Sequence, residues 1–370
     1  MNDDRQGAGK RRHLFRYILF SLASLLVLSL GFTLIPAEPP VPGPPSDAEI
    51  ARSSALGDAL RLRAAGGRLA SQAGDKPAAA AATDEVVTLL TVQARALLLP
   101  DVTGPQPGFA AGAPEAALSV PGLAKDLAAS GAARLRDAET ADDGGMARLL
   151  AGVGTAQLLA AERLQTGAAA ERLGAGAGGP AKHPAPGTGK ADREPAGPCS
   201  SPTGADTGSA DAARALSAAL LAEREAVYAY EAAMSRLAPG AAGPASAFLG
   251  SHRELARDAE DRLLLTCQAV PLQKPGYAID AEFLRAPAGR LGSLEAGTLP
   301  LYGDLIALSE GGTRGWAVSA LHAAAARAVQ WGADPGPVPG LAIDAAQLPE
   351  LAGLSGLTGL TGQATPRPER

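Results

Sequence analysis

The sequence predicts an all-α protein: a single N-terminal transmembrane helix, an Ala-rich helical region and then an antiparallel four-helix bundle. Three observations carry that expectation. Tyr17 to Ile35 is a run of nineteen residues without a charge. Downstream, Leu, Val and Ala recur at three- and four-residue spacings over eight segments separated by Gly or Pro clusters. The apolar content is carried by Ala and Leu, with only 4 % aromatics. Small side chains bury little area each, so a stable core has to come from long helices in close contact.

Taken in order, residues 1–16 form a basic N-terminus carrying Lys10, Arg11, Arg12 and Arg16. As a helix, residues 17–35 would span roughly 28 Å, close to the hydrocarbon thickness of a bilayer. The first charges beyond the run are Glu38, Asp47 and Glu49. The positive-inside bias therefore keeps the N-terminus cytoplasmic and the bulk of the chain extracytoplasmic at the cell membrane. The rival is a cleaved secretory signal, whose apolar core is usually shorter and which needs small residues where Ile35 and Pro36 stand. Either way the chain is exported. No cysteine follows within lipobox distance, which argues against a lipid anchor.

Residues 36–46 are a Pro-rich spacer. The Ala-rich region, 47–173, holds helical segments at Asp47–Ser71, Asp84–Leu99, Ala116–Ala138 and Asp142–Leu173. In the last of these, Met146, Leu149, Val153, Ala156, Ala160 and Leu164 form one apolar stripe. Residues 174–210, rich in Gly, Pro, Ala, Ser and Thr, predict a disordered linker. A second helical region, 211–332, follows, and residues 333–370 return to Pro, Gly and Thr and predict a disordered tail.

Composition narrows function by exclusion. A net charge of −5 with dispersed basic residues gives no footprint for nucleic acid. There is no Gly-rich phosphate loop, no His-Glu-x-x-His and no metal-type cysteine pair. No exposed Ser-His-Asp set can be assembled from four histidines of which His13 is cytoplasmic and His183 lies in the linker. The preference for Arg over Lys and the abundance of Ala, Gly and Pro point to a GC-rich bacterial coding bias. Cys199 and Cys267, an even count in an exported chain, predict a disulfide between the segment before one helix and the end of another, with two independent thiols as the alternative.

The second region is where chemistry is expected. On its first helix, Asp211–Leu237, the seam Leu216, Leu220, Glu223, Val227, Tyr230, Met234 and Leu237 places a carboxylate inside an apolar stripe. On the second, Pro244–Cys267, His252 lies on the stripe of Ala245, Leu249, Ala256, Ala259 and Leu263. The third, Gly289–Ser309, carries Leu291, Leu294, Thr298, Leu301, Leu305 and Leu308 inward, with Glu295 and Tyr302 flanking, and should kink or start late at Pro300. The fourth, Thr313–Trp331, presents Val318, Leu321, Ala325 and Ala328 with His322 beside them.

Four helices that each offer one ionisable residue near the core stripe are the setting in which bundles build carboxylate and histidine metal sites. On these residues the region resembles the ferritin-like superfamily, and more closely an actinobacterial ferritin-like family of unassigned function. The resemblance rests on Leu220 to Tyr230, the segment His252-Arg253-Glu254, the pair Leu294-Glu295 and the closing run Ala325 to Trp331. It covers about a third of the chain. It implies a fold and little about activity.

The superfamily's di-iron sites need a Glu on each of two helices and a Glu-x-x-His on each of two others. By position Glu223 and Glu295 match the lone carboxylates, and His252 and His322 match the histidines. Leu249 and Ser319 stand where the bridging carboxylates belong. A dinuclear oxygen-activating centre is therefore not expected, and no cofactor is. The four candidates make a workable ligand set for a single transition metal ion such as Zn²⁺, with degenerate oxidoreductase-type chemistry as the alternative function.

The plainer account is structural: Glu223 with His252 as a buried polar pair, His322 at the edge of the core, and Glu295 favoured in a first helical turn. Tyr228, Tyr230 and Tyr302 then serve as core or edge aromatics, and Trp316 and Trp331 pack the ends of the last helix. The expectation is a non-catalytic binding or scaffold module of the bacterial envelope. Its partners are the bilayer, through one helix, and a protein or a second copy of itself.

Overall fold

The computed structural model describes residues 19–22, 25, 45–73, 77–98, 119–173 and 207–351. The chain divides into two compact units, Met1–Pro45 and Ser46–Arg370. Most of the apolar run 17–35 lies outside the described residues; Leu19, Phe20, Leu22 and Leu25 within it are helical and exposed. Among the described residues no helix is long and apolar enough to cross a membrane. The spacer up to Pro44, the linker 174–206 with Cys199, and residues beyond Leu351 are likewise outside them.

All regular structure among the described residues is helical. The second unit contains α1 (Asp47–Gln72), α2 (Pro77–Leu97), α3 (Val120–Thr140), α4 (Gly144–Leu173), α5 (Thr207–Met234), α6 (Pro239–Leu265), the short α7 (Ala281–Arg285), α8 (Pro287–Leu308) and α9 (Gly311–Gln330). Local chemistry sets several starts. Ser46 accepts from the Glu49 amide while the Glu49 carboxylate accepts from the Ser46 amide, a capping box on α1. Ser119 caps α3 ahead of Pro121, and Asp280 caps α7. Helix α2 starts earlier than Asp84 because Ala78 to Ala82 extend it N-terminally. Helix α5 likewise begins inside the expected linker, at Thr207.

Close approach in this Ala-rich half depends on glycine. A Cβ on Gly131 of α3 would lie 2.8 Å from the Gly154 carbonyl of α4, and one on Gly154 would lie 2.7 Å from the Gly131 carbonyl. The two backbones touch where the side chains vanish, so neither position tolerates even Ala without separating the helices.

Helices α5, α6, α8 and α9 form a four-helix bundle. Partner spacings show α5 antiparallel to both α6 and α8: Arg224 meets Glu260 and Glu231 meets Arg253 on one side, while Tyr230 meets Glu295 and Glu223 meets Tyr302 on the other. Helix α9 runs antiparallel to α8, through Arg327 with Glu295 and Trp316 with Tyr302. Helices α6 and α8 thus run the same way, and the connection between them, which includes α7, is a long crossover. Helix α8 passes through Pro300 as a single element from 287 to 308. Its buried face is Leu291, Glu295, Thr298, Tyr302 and Leu305, turned by about one residue from the expected stripe, so that Leu308 is 45 % exposed and Glu295 and Tyr302 point inward rather than flanking.

The sequence divides at the linker, but the packing does not. One continuous core includes Leu56, Leu90, Leu127 and Leu150 from the first region together with Leu220, Leu263, Leu305 and Leu321 from the second. Gly144 of α4 abuts the Ala307 backbone of α8. Arg314 of α9 is buried and donates to the carbonyls of Ile306, Ser309 and Ala141, tying the α8–α9 corner to the α3–α4 corner. Those carbonyls are otherwise left over at helix ends, where a buried acceptor without a partner is costly.

Residues 333–351 are a correction to the expected disordered tail. They form a strap that closes over the junction of the two regions. Val338 is 1 % exposed and packs beside Gly152 of α4, while the Gly340 backbone lies against Gly303 of α8. Its carbonyls are answered by side chains: Gln93 to Pro337 at 3.0 Å, Arg148 to Gly340 at 2.7 Å, and Arg95 to Leu348 and Pro349 at 2.7 and 2.9 Å. A Pro- and Gly-rich segment has few side chains to bury, yet it orders when a groove of glycines admits its backbone and cations pair its oxygens.

Candidate functional site

The centre of the bundle is a chain of ionised and hydroxylated side chains, one or two from each of the four helices. Glu223, His252 and Glu295 are 0 % exposed and Arg327 is 4 % exposed. The His252 ring bridges the two carboxylates, with Nδ1 2.7 Å from Glu223 Oε2 and Nε2 2.8 Å from Glu295 Oε1. Arg327 Nε donates to the other Glu295 oxygen at 2.9 Å. The Tyr230 hydroxyl donates to Glu295 Oε1 and the Tyr302 hydroxyl to Glu223 Oε1, both at 2.6 Å. Trp331 Nε1 donates in turn to the Tyr230 oxygen at 2.6 Å.

Charge and hydrogen bonding close together. Two carboxylates face an imidazolium and a guanidinium, a neutral set, which is the condition under which buried charges are tolerated. Every carboxylate oxygen has a donor. Burial alone would raise the Glu295 carboxyl, but Arg327 and then His252 outweigh it and pull it down to about 2. Burial would likewise lower His252, yet the flanking carboxylates, Glu223 foremost, raise it above its ordinary value. Both of its ring nitrogens are then donors, as the two short contacts require. Burial and the adjacent carboxylates push Tyr230 and Tyr302 upward, so both keep their protons. One atom is left over: Arg327 Nη2 is buried without a hydrogen-bond partner.

Of the four residues expected to gather, Glu223, His252 and Glu295 do. The fourth corner is Arg327 rather than His322. The two are five residues apart on α9, about 140° around the helix and about 7.5 Å along it, so a helix that aims Arg327 at the carboxylates aims His322 elsewhere. His322 is half-buried on another face. Arg327, Tyr230, Tyr302 and Trp331 received no polar role from the sequence. The signal for Arg327 was present: Ala317, Ala320, Ala324, Arg327 and Trp331 follow alternating steps of three and four, with a cation in an Ala stripe.

The donor set does not fit the metal centre that the ferritin-like resemblance implies. A metal ion needs a lone pair on an imidazole nitrogen and open carboxylate oxygens. Here both nitrogens of His252 are engaged by carboxylates and Arg327 already sits on Glu295. Among the described residues no group of three or more His, Cys, Asp or Glu is arranged to hold a metal ion.

Cys267 stands at the left-handed position that ends α6, with φ 55°. The Gln268 amide donates back to the Leu263 carbonyl at 2.8 Å and the Cys267 amide to Leu264 at 3.1 Å, a helix-terminating geometry that usually selects Gly. Among the described residues there is no free cysteine.

A family model described as a domain of unknown function (DUF4439) matches residues 215–343. The match starts at Ala215 within α5, takes in the rest of the bundle and runs into the strap as far as Ile343. No curated protein and no solved structure matches the chain.

Proposed function

We propose that this is a non-catalytic binding or scaffold module of the bacterial envelope, built on a ferritin-like bundle whose centre is electrically closed. Residues 17–35 hold it to the membrane, with the N-terminus cytoplasmic and the rest extracytoplasmic. The single observation that carries the non-catalytic reading is the bridge of His252 between Glu223 and Glu295, completed by Arg327. It uses up the groups that a reaction centre would need and keeps them from water. The ferritin-like assignment is supported by the topology of α5, α6, α8 and α9, four helices with one long crossover between the second and third. An actinobacterial origin within that superfamily accords with the Arg-, Ala- and Gly-rich composition.

Metal analysis by inductively coupled plasma mass spectrometry, on the full chain purified without chelator, tests this reading. The expected result is metal far below one ion per chain. Near-stoichiometric metal that disappears in a His252→Gln variant overturns it in favour of a metal-binding bundle.

A further inference from the structure

A second set of polar and aromatic groups lies on the outer side of α5, away from the buried network. A pocket of about 250 Å³ opens between α5, the α6–α8 crossover and α8, with Glu225, Tyr228, Tyr277, Asp280, Phe283 and Arg290 among its walls. The Tyr228 and Tyr277 rings stand 5.6 Å apart between centroids and 50° tilted, so the two make an aromatic corner rather than a stack. The crossover that carries Tyr277 is fastened to α5: Arg224 donates to the Pro271 carbonyl at 2.7 Å.

The charges of this pocket do not cancel. Asp280 is committed, accepting from the Phe283 amide at 2.6 Å and pairing with Arg290 at 3.3 Å. Glu225 is exposed and has no ion-pair partner among the described residues. The Tyr277 hydroxyl is shielded from solvent and has no hydrogen-bond partner. Burial and then the neighbouring Glu225 push that hydroxyl up, so it stays protonated and keeps lone pairs to offer. The Tyr277 ring already attracts a cation from outside the pocket walls: the Lys274 ammonium sits 5.4 Å from its centroid. Aromatic faces attract cations electrostatically, and a surplus carboxylate beside them selects charge of the same sign.

We propose that this pocket binds the primary ammonium group of a small organic amine, held in the corner that the Tyr228 and Tyr277 rings make beside the Glu225 carboxylate. The inference deepens the binding-module reading by naming a ligand class. An anion would meet the surplus charge of Glu225, the Asp280 carboxylate being paired with Arg290. A neutral apolar ligand would desolvate Glu225 without replacing its hydrogen bonds. A quaternary ammonium brings charge but no N–H for the carboxylate or the hydroxyl. A primary ammonium supplies both, and a short alkyl tail is the size the cavity admits.

The test is a titration of the full chain, in non-ionic detergent, with n-butylammonium chloride, followed by NMR shifts of the tyrosine ring signals. n-Butanol and tetramethylammonium chloride serve as matched probes. Saturable shifts of Tyr228 and Tyr277 with n-butylammonium, weaker binding of tetramethylammonium and none of n-butanol are expected. Glu225→Gln, an exposed and near-isosteric change, should weaken the amine by roughly tenfold while leaving the amide spectrum folded. Tyr277→Phe keeps the ring and should weaken it less. No saturation in the folded chain, equal binding of n-butanol, or unchanged affinity in Glu225→Gln each overturns the proposal. Metal content of the same sample separates the two readings: metal-free protein that ignores the amine defeats only the pocket, and metal-loaded protein that binds the amine defeats only the inert core.

Discussion

Arg327 places its Nε 2.9 Å from Oε2 of Glu295, and the two side chains are 4 % and 0 % exposed. The guanidinium thus neutralises Glu295 directly, on the oxygen that His252 and Tyr230 leave open. Removing it leaves two carboxylates facing one imidazolium in a place water does not reach. Arg327→Met should destabilise the protein by about 3–5 kcal/mol, the range for breaking a buried pair from one side. Urea unfolding followed by circular dichroism reads this directly. An effect below about 1 kcal/mol would mean the pair is more solvated than its geometry indicates.

The bridge predicts strong coupling between Glu223 and His252. His252→Met alone strips both carboxylates of a donor and should cost several kcal/mol by the same reasoning. Glu223→Leu with His252→Met removes one charge of each sign, leaves Glu295 balanced by Arg327, and orphans only the Tyr302 hydroxyl. The double variant should therefore be more stable than His252→Met alone, with a non-additive term of more than about 1 kcal/mol in a double-mutant cycle. Additive losses would show that the two side chains do not share a network.

Stability should depend on pH with a defined sign at each end. Glu295 is lowered from 4.5 to about 2, so its contribution, about 3 kcal/mol, is present above pH 4.5 and lost as pH falls toward 2. His252 is raised above 6.5, so its contribution is present below pH 6.5 and lost as pH rises through the folded value. A plateau between about pH 4.5 and 6.5 is expected from denaturant midpoints across pH. In Glu295→Gln the acid limb should flatten, and an unchanged limb would assign it to other carboxylates.

The strap can be tested without touching the network. Gly303→Ala would drive a Cβ into the Gly340 backbone carbonyl, and Val338→Ala would empty a buried site beside Gly152. Each should cost about 1–3 kcal/mol and raise proteolytic cleavage after Gln330. Normal protease resistance in Gly303→Ala would show that residues 333–351 contribute little to the packing.

Much of the bundle was legible because Ala- and Leu-rich helices announce themselves by spacing. Leu216, Leu220, Glu223 and Tyr230 on α5, and Ala245, Leu249, His252, Ala259 and Leu263 on α6, lie on the faces that the period predicts. The rest depended on relations between distant segments. Periodicity alone left α8 off by one residue, because Gly292 and Gly303 face inward against the Trp331 backbone and Gly340 and turn Glu295 and Tyr302 with them. A Pro- and Gly-rich strap carries no period at all, and the groove that receives it is made of glycines on α4 and α8. Arg327 was visible in its Ala stripe, but an arginine counts as solvent-facing until the carboxylate it neutralises is known.

Cys267 holds a left-handed position at modest backbone cost where Gly would be free of it, which is sensible if the thiol is used. Mass spectrometry of the unreduced protein should give a crosslinked Cys199–Cys267 peptide. Two free thiols would rule out the crosslink that the sequence predicts.

His252 stands between Glu223 and Glu295 as an imidazolium donating to both carboxylates. Proton–nitrogen NMR of histidine-labelled full chain, assigned by comparison with His252→Gln, tests it most directly. Two slowly exchanging ring N–H signals are expected, with both nitrogens in the protonated range at pH 6. A single N–H tautomer, or a ring nitrogen shifted by a bound metal ion, would contradict it.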